Sequence, residues 1–125
     1  MSRKNVLAPV LLVSGQTLSA GFTTTPTNID FLDNVAYQIN VSTTNSVGTF
    51  TVQVSLDYVP PNANTLANTG NWTDLNLSAV PTVAAANDTI GISMTQLPYR
   101  AIRLKYNSTN AGTGTCSIYI QAKMI

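Results

Sequence analysis

Five aspartates (Asp30, Asp33, Asp57, Asp74 and Asp88), six cationic side chains, one cysteine, one tryptophan and five tyrosines are the main groups this chain offers for acid–base, metal or stacking chemistry. Its 125 residues include no histidine and no glutamate. A Ser-His-Asp or Cys-His arrangement therefore cannot form. Two aspartates can in principle act as acid and nucleophile on a glycoside. Here, however, the five sit mostly at strand ends and turns, where Asp caps the backbone. No catalytic residue is assigned and no enzymatic activity is expected.

Asn28, Asp30, Asp33 and Asn34 lie close together and present the oxygen ligands a calcium ion requires. Their spacing matches no calcium-loop signature, and Phe31 and Leu32 separate the acids, so turn formation is the expected role. Zinc lacks its His and Cys ligands. The sequence calls for no metal and no cofactor.

Arg103 and Lys105 share the outward face of one strand, and Lys123 is expected beside them on the strand that pairs with it. Like charges side by side on a sheet are unfavourable. Solvation, a pairing with Asp57 or Asp74, or a contact with another subunit can each answer them. Trp72, Tyr58, Tyr99 and Tyr119 are candidates for a sugar-stacking platform, although Trp72 in its strand-like run with Leu75 and Leu77 suits core or loop packing better. Five Asn-x-Ser/Thr sequons, at Asn40, Asn71, Asn76, Asn87 and Asn107, follow from the abundance of these residues.

The elements that must position these groups are strands. Only 9% of residues are charged while 44% are hydrophobic, and the polar share falls to 18 Thr, 13 Asn and 10 Ser. Thr favours strands; Asn and Ser favour turns. Apolar and polar residues alternate over 37–41, 50–58, 90–94, 102–106 and 116–124, and helical periodicity is nearly absent. Thr43–Gly48 and Asn107–Gly114 read as hairpin turns. Pro60–Gly70 is the longest irregular stretch and is expected to cross one end of the domain. The pattern predicts an all-β fold, an antiparallel β-sandwich of jelly-roll type with about eight strands.

The N-terminal Arg3-Lys4 followed by Val6–Val13 has the outline of a signal peptide, but Pro9 interrupts the apolar run and Leu18 sits poorly for cleavage after Ala20. It is read as a first strand with a basic lead-in. Residues 1–13 form this arm and 14–125 a single sandwich domain. No apolar run approaches the ~20 residues that span a bilayer. Net charge is +1, which speaks against a nucleic-acid partner. Neither a membrane nor a nucleic acid is expected to bind.

The strings Phe50-Thr-Val-Gln-Val-Ser-Leu-Asp-Tyr58, Asn71-Trp-Thr-Asp-Leu75 and Gln96-Leu-Pro-Tyr-Arg-Ala-Ile-Arg-Leu-Lys-Tyr106, with the Gly-Thr-Gly that follows, resemble small tailed-bacteriophage virion proteins. The likeness runs from about Phe31 to the end, in strand patterns without catalytic signatures. It implies a virion location and a capsid decoration, cement or tail-associated role. A weaker likeness, the tryptophan strand followed by an aromatic-x-x-Ile-Arg-Leu strand, is similar to discoidin-like carbohydrate-binding jelly rolls.

The leading expectation is a non-enzymatic capsid decoration protein that clamps neighbouring shell subunits, as a trimer or other symmetric homo-oligomer. A tail or connector component and a glycan-binding adhesion module are the alternatives. The contact residues expected are Arg3, Lys4 and Val6 of the arm, Pro60, Pro61 and Asn62 of the long loop, and the Arg103, Lys105 and Lys123 face.

Overall fold

A computed structural model describes residues 6–30, 32–60 and 68–124. Ten strands are present and no helix occurs among the described residues. They are β1 (Val6–Thr17), β2 (Phe22–Thr23), β3 (Thr27–Asn28), β4 (Asn34–Ser42), β5 (Val47–Ser55), β6 (Thr73–Leu75), β7 (Thr82–Ala84), β8 (Asp88–Met94), β9 (Ala101–Asn110) and β10 (Thr115–Lys123).

Two antiparallel sheets result. Sheet A runs β1-β10-β4-β8; sheet B runs β2-β9-β5-β6, with β3 also on β9 and β7 also on β5. Two strand positions are thus split into short pieces, and ten segments occupy eight positions. The pairing is nested: β1 lies against β10, β2 and β3 against β9, β4 against β8, and β5 against β6 and β7. A long antiparallel ribbon wrapped over itself gives this order, which is the jelly roll.

Alternation fixes which residues the wrap buries. Tyr37, Ile39 and Val41 of β4 meet Phe50, Val52 and Val54 of β5, with Ile102, Leu104 and Tyr106 of β9 and Cys116, Ile118 and Ile120 of β10, all nearly inaccessible. Phe22, Phe50 and Tyr106 pack ring on ring, with centroids 5.0 to 6.5 Å apart. Each such side chain contributes about 1.5–3 kcal/mol through the apolar area it removes from water.

Three expectations are corrected by this architecture. First, the links after β4 and after β9 are arches between the sheets and not hairpins, because β4 and β10 belong to sheet A while β5 and β9 belong to sheet B. The two arches lace together. Thr43 Oγ1 accepts the Ser46 amide at 2.9 Å, Asn45 Oδ1 accepts the Thr113 amide at 2.9 Å, and Ser46 Oγ accepts the Gly114 amide at 3.0 Å while donating to Ala111 O at 3.1 Å. Gly112 has φ of 58°, and a Cβ there would come within 2.6 Å of both Asn45 Oδ1 and Ser46 Oγ. Glycine is the residue that meets both demands.

Second, β5 stops at Ser55 although apolar alternation continues to Tyr58. Ser55 Oγ donates to Asp57 Oδ1 at 2.8 Å and accepts the Asp57 and Tyr58 amides at 3.3 and 3.2 Å. This local hydroxyl turn competes with the ladder and ends it. Leu56 is left 67% exposed. Third, β9 and β10 do not pair, so Lys123 is not beside Arg103 and Lys105.

Candidate functional site

Every strand residue that does not face the core faces outward, so the sandwich presents two outer faces. On sheet B, β5 places Gln53 opposite Arg103 of β9 and opposite Asp74 of β6. Arg103 Nε donates to Gln53 Oε1 at 2.8 Å, and Gln53 Nε2 donates to Asp74 Oδ1 at 2.9 Å. The amide thus links cation to carboxylate across three strands. The guanidinium also stacks 4.2 Å from the centroid of Trp72. Trp72 donates its indole N–H to Thr69 O at 2.8 Å, and its ring centroid lies 5.7 Å from that of Tyr58. Partial burial lowers the Arg103 pKa from its ordinary value, but a guanidinium remains protonated at neutral pH.

This cluster lies where residues 57–59 meet residues 68–72, between β5 and β6. Val59 and Asn68 exchange backbone hydrogen bonds of 2.9 and 3.0 Å. Asp57 accepts the Asn71 amide at 2.7 Å and the Asn71 side chain at 2.8 Å. Those bonds, with that from Ser55, hold its carboxyl below the usual range, the Asn71 amide contributing most. Trp72 therefore has one face covered by Arg103 and serves to pack the loop. Tyr99 lines a groove with Asn71 and Thr73 nearby, whereas Tyr119 lies on the opposite sheet. The four aromatic residues do not assemble into one platform.

The outer face of sheet A is built differently. Across β10, β4 and β8 run three rows: Ser117–Asn40–Thr89, Tyr119–Gln38–Gly91 and Gln121–Ala36–Ser93. The four strands carry two charged residues, Lys123 and Asp88. Beside β10, β1 exposes Val6 at 63% and Leu11 at 46% on this face, while Val10, paired with core-facing Ile120, is 41% exposed at the sheet edge. Val6 stands opposite Lys123 and Leu11 opposite Tyr119. A shallow groove of about 440 Å³ crosses this face over Pro9, Gln38, Gly91 and Tyr119.

The candidate contact residues thus divide. Val6 and Lys123 come together on sheet A; Arg103 and Lys105 lie on sheet B, Arg103 engaged with Gln53 and Trp72 and Lys105 exposed. Pro60 is exposed next to Val59. Arg3, Lys4, Pro61 and Asn62 lie outside the described residues. The strand β1 continues through residues 13 and 14 without a break. The acidic segment forms a turn: Asn28 Oδ1 accepts the Asp30 amide at 2.8 Å, and Asp30 pairs with Arg100 at 3.7 Å on the surface. Among the described residues no group of three or more Cys or Asp side chains is placed to hold a metal ion.

The Gln53 link and the laced arches escaped the sequence reading. Alternation puts Gln53 on an outward face, but nothing local to the chain shows which strands flank it.

Fold and faces together define an antiparallel β-sandwich with one neutral, polar outer face and one crossed by an Arg–Gln–Asp row. No family model matches the chain, and no curated protein matches it.

Proposed function

We propose that the protein is a non-enzymatic structural component of a virion, a capsid decoration or cement protein that clamps neighbouring shell subunits in a symmetric arrangement. The observation that carries this reading is the outer face of sheet A, where rows of Ser, Thr, Asn and Gln, almost free of charge, lie beside the exposed apolar residues of β1. Such a face packs against a neighbour with little charge repulsion and little desolvation of ions. The resemblance of the β5, β6 and β9 strings to small phage virion proteins supports the same reading. A protein that binds only the assembled shell stabilises that state by mass action and needs no chemistry.

The test is quantitative mass spectrometry of purified particles, followed by Leu11→Asp, which places a charge in the apolar strip without removing β1 from its sheet. About one copy per major shell subunit, lost in the variant, is the expected result. A few copies per particle assigns the chain to the tail or connector. Absence from particles sinks the virion reading.

A further inference from the structure

Three of the four sheet edges are blunted. β1 carries Pro9 and three register shifts against β10; β2 and β3 are two residues each, interrupted at Pro26; β6 and β7 are three residues each. These are the devices by which sheet proteins avoid edge-to-edge pairing. β8 has none of them. It is seven residues long, pairs with β4 without a register shift, and contains neither Pro nor Lys.

Its backbone is available. The Thr89 amide bonds to the Asp88 side chain at 2.8 Å, so it points away from β4. Antiparallel alternation then directs Gly91 and Ser93 outward as well. Among the described residues, no backbone hydrogen bond outside the β4 ladder involves β8.

Gly91 has no internal cause. The other six glycines have either positive φ or a neighbour a Cβ would press against; Gly91 has neither, with nothing within 4 Å of a Cβ built there. A glycine inside a strand marks a place where another backbone approaches. The residues around it are also self-complementary. Read outward from Gly91 they are Ile90 and Ile92, Thr89 and Ser93, Asp88 and Met94.

We propose that β8 is a self-association edge, where two copies pair their β8 strands antiparallel about a two-fold axis at Gly91 and join their A sheets into one. Gly91 exchanges both backbone hydrogen bonds with its symmetry mate. Thr89 lies opposite the partner copy's Ser93, and half-buried Ile90 opposite the partner copy's Ile92. The one charge of the strand, Asp88, faces the partner copy's Met94, so no like charges meet.

Sedimentation of the purified full chain at about 0.1 mM, where a micromolar association is nearly saturated, tests this without reference to virions. The wild type is expected to be a dimer. Gly91→Lys, which has room for its side chain, sets two like charges across the axis and weakens association roughly tenfold or more, with an unchanged circular dichroism spectrum. Gln121→Lys, on the same face but away from the edge, keeps the dimer. Gly91→Cys in a Cys116→Ser background forms a disulfide-linked dimer on mild oxidation, since paired Cα atoms at such a site stand about 5.5 Å apart. A monomeric wild type, as expected if β8 instead receives a strand from a different protein, overturns the proposal. So does a trimer, or a dimer that persists unchanged in Gly91→Lys.

Discussion

The guanidinium of Arg103 sits 4.2 Å above the centre of the Trp72 ring while its Nε donates to Gln53. A β9 residue thereby holds down the segment that leads into β6. A lysine keeps the charge but loses the planar stack and the fixed donor. Arg103→Lys is expected to cost about 1–2 kcal/mol of unfolding free energy. Trp72→Ala costs more, since it also removes the Tyr58 ring contact and the bond to Thr69 O. In a double-mutant cycle by urea denaturation the coupling should be about 0.5–2 kcal/mol. Simple additivity would show that the stack contributes nothing.

The laced arches make a second prediction. Ser46 is fully buried and serves Gly114 N and Ala111 O at once. Ser46→Ala strands both groups and should cost about 1–3 kcal/mol. Gly112→Ala adds left-handed strain to a close approach and should cost about 2–3 kcal/mol. Chemical denaturation at neutral pH measures both, and a change below about 0.5 kcal/mol would contradict the packing described.

Tyr37 predicts a change of the opposite sign. Its hydroxyl is buried and has no hydrogen-bond partner among the described residues. Deleting an unpaired buried hydroxyl removes a desolvation cost, so Tyr37→Phe should be neutral or stabilising by about 1 kcal/mol. A clear loss in a thermal melt would mean that the hydroxyl is bonded after all.

The pH dependence follows from burial. Burial raises the Cys116 thiol to about 11, raises Tyr37 strongly, and raises Tyr106 by desolvation aided by the neighbouring Cys116. The folded protein holds these protons where the unfolded chain has released them. The Cys116 contribution is therefore full below about pH 9, the ordinary thiol value, and is lost as pH rises through about 11. Those of Tyr37 and Tyr106 are full below about pH 10, the ordinary phenol value, and are lost only as pH rises through their raised folded values. For Cys116 alone the loss is on the order of 2–3 kcal/mol. Asp57 acts in the opposite direction, its stabilisation being lost as pH falls through its lowered folded value. With no histidine to titrate, urea midpoints should be flat from about pH 5 to 8. They should then fall on the alkaline side, less steeply in Cys116→Ala. Native Cys116 should resist thiol reagents until the protein unfolds.

Much of the fold is legible in the chain. The period-two runs at 37–41, 50–54, 90–94, 102–106 and 116–122 place the core residues on the correct faces, because side-chain direction along a strand depends only on local backbone geometry. Where the pattern misleads, a local polar group competes with it, as Ser55 does in ending β5 before Leu56 and Tyr58. The contact residues are less legible. Arg103 and Lys123 look equivalent by alternation, yet they stand on opposite faces of the molecule.

What the sequence determined by itself is a strand-rich chain without histidine or glutamate, few charges and two-faced strands, since composition and alternation are properties of residues taken one after another. Which strands become neighbours was decided only by the tertiary wrap. That wrap put β9 and β10 in different sheets, set Gln53 between Arg103 and Asp74, and left β8 as the one long unblunted edge among the described strands. Strand order depends on how two sheets bury their apolar faces against each other, which is a long-range balance that no local run of residues encodes.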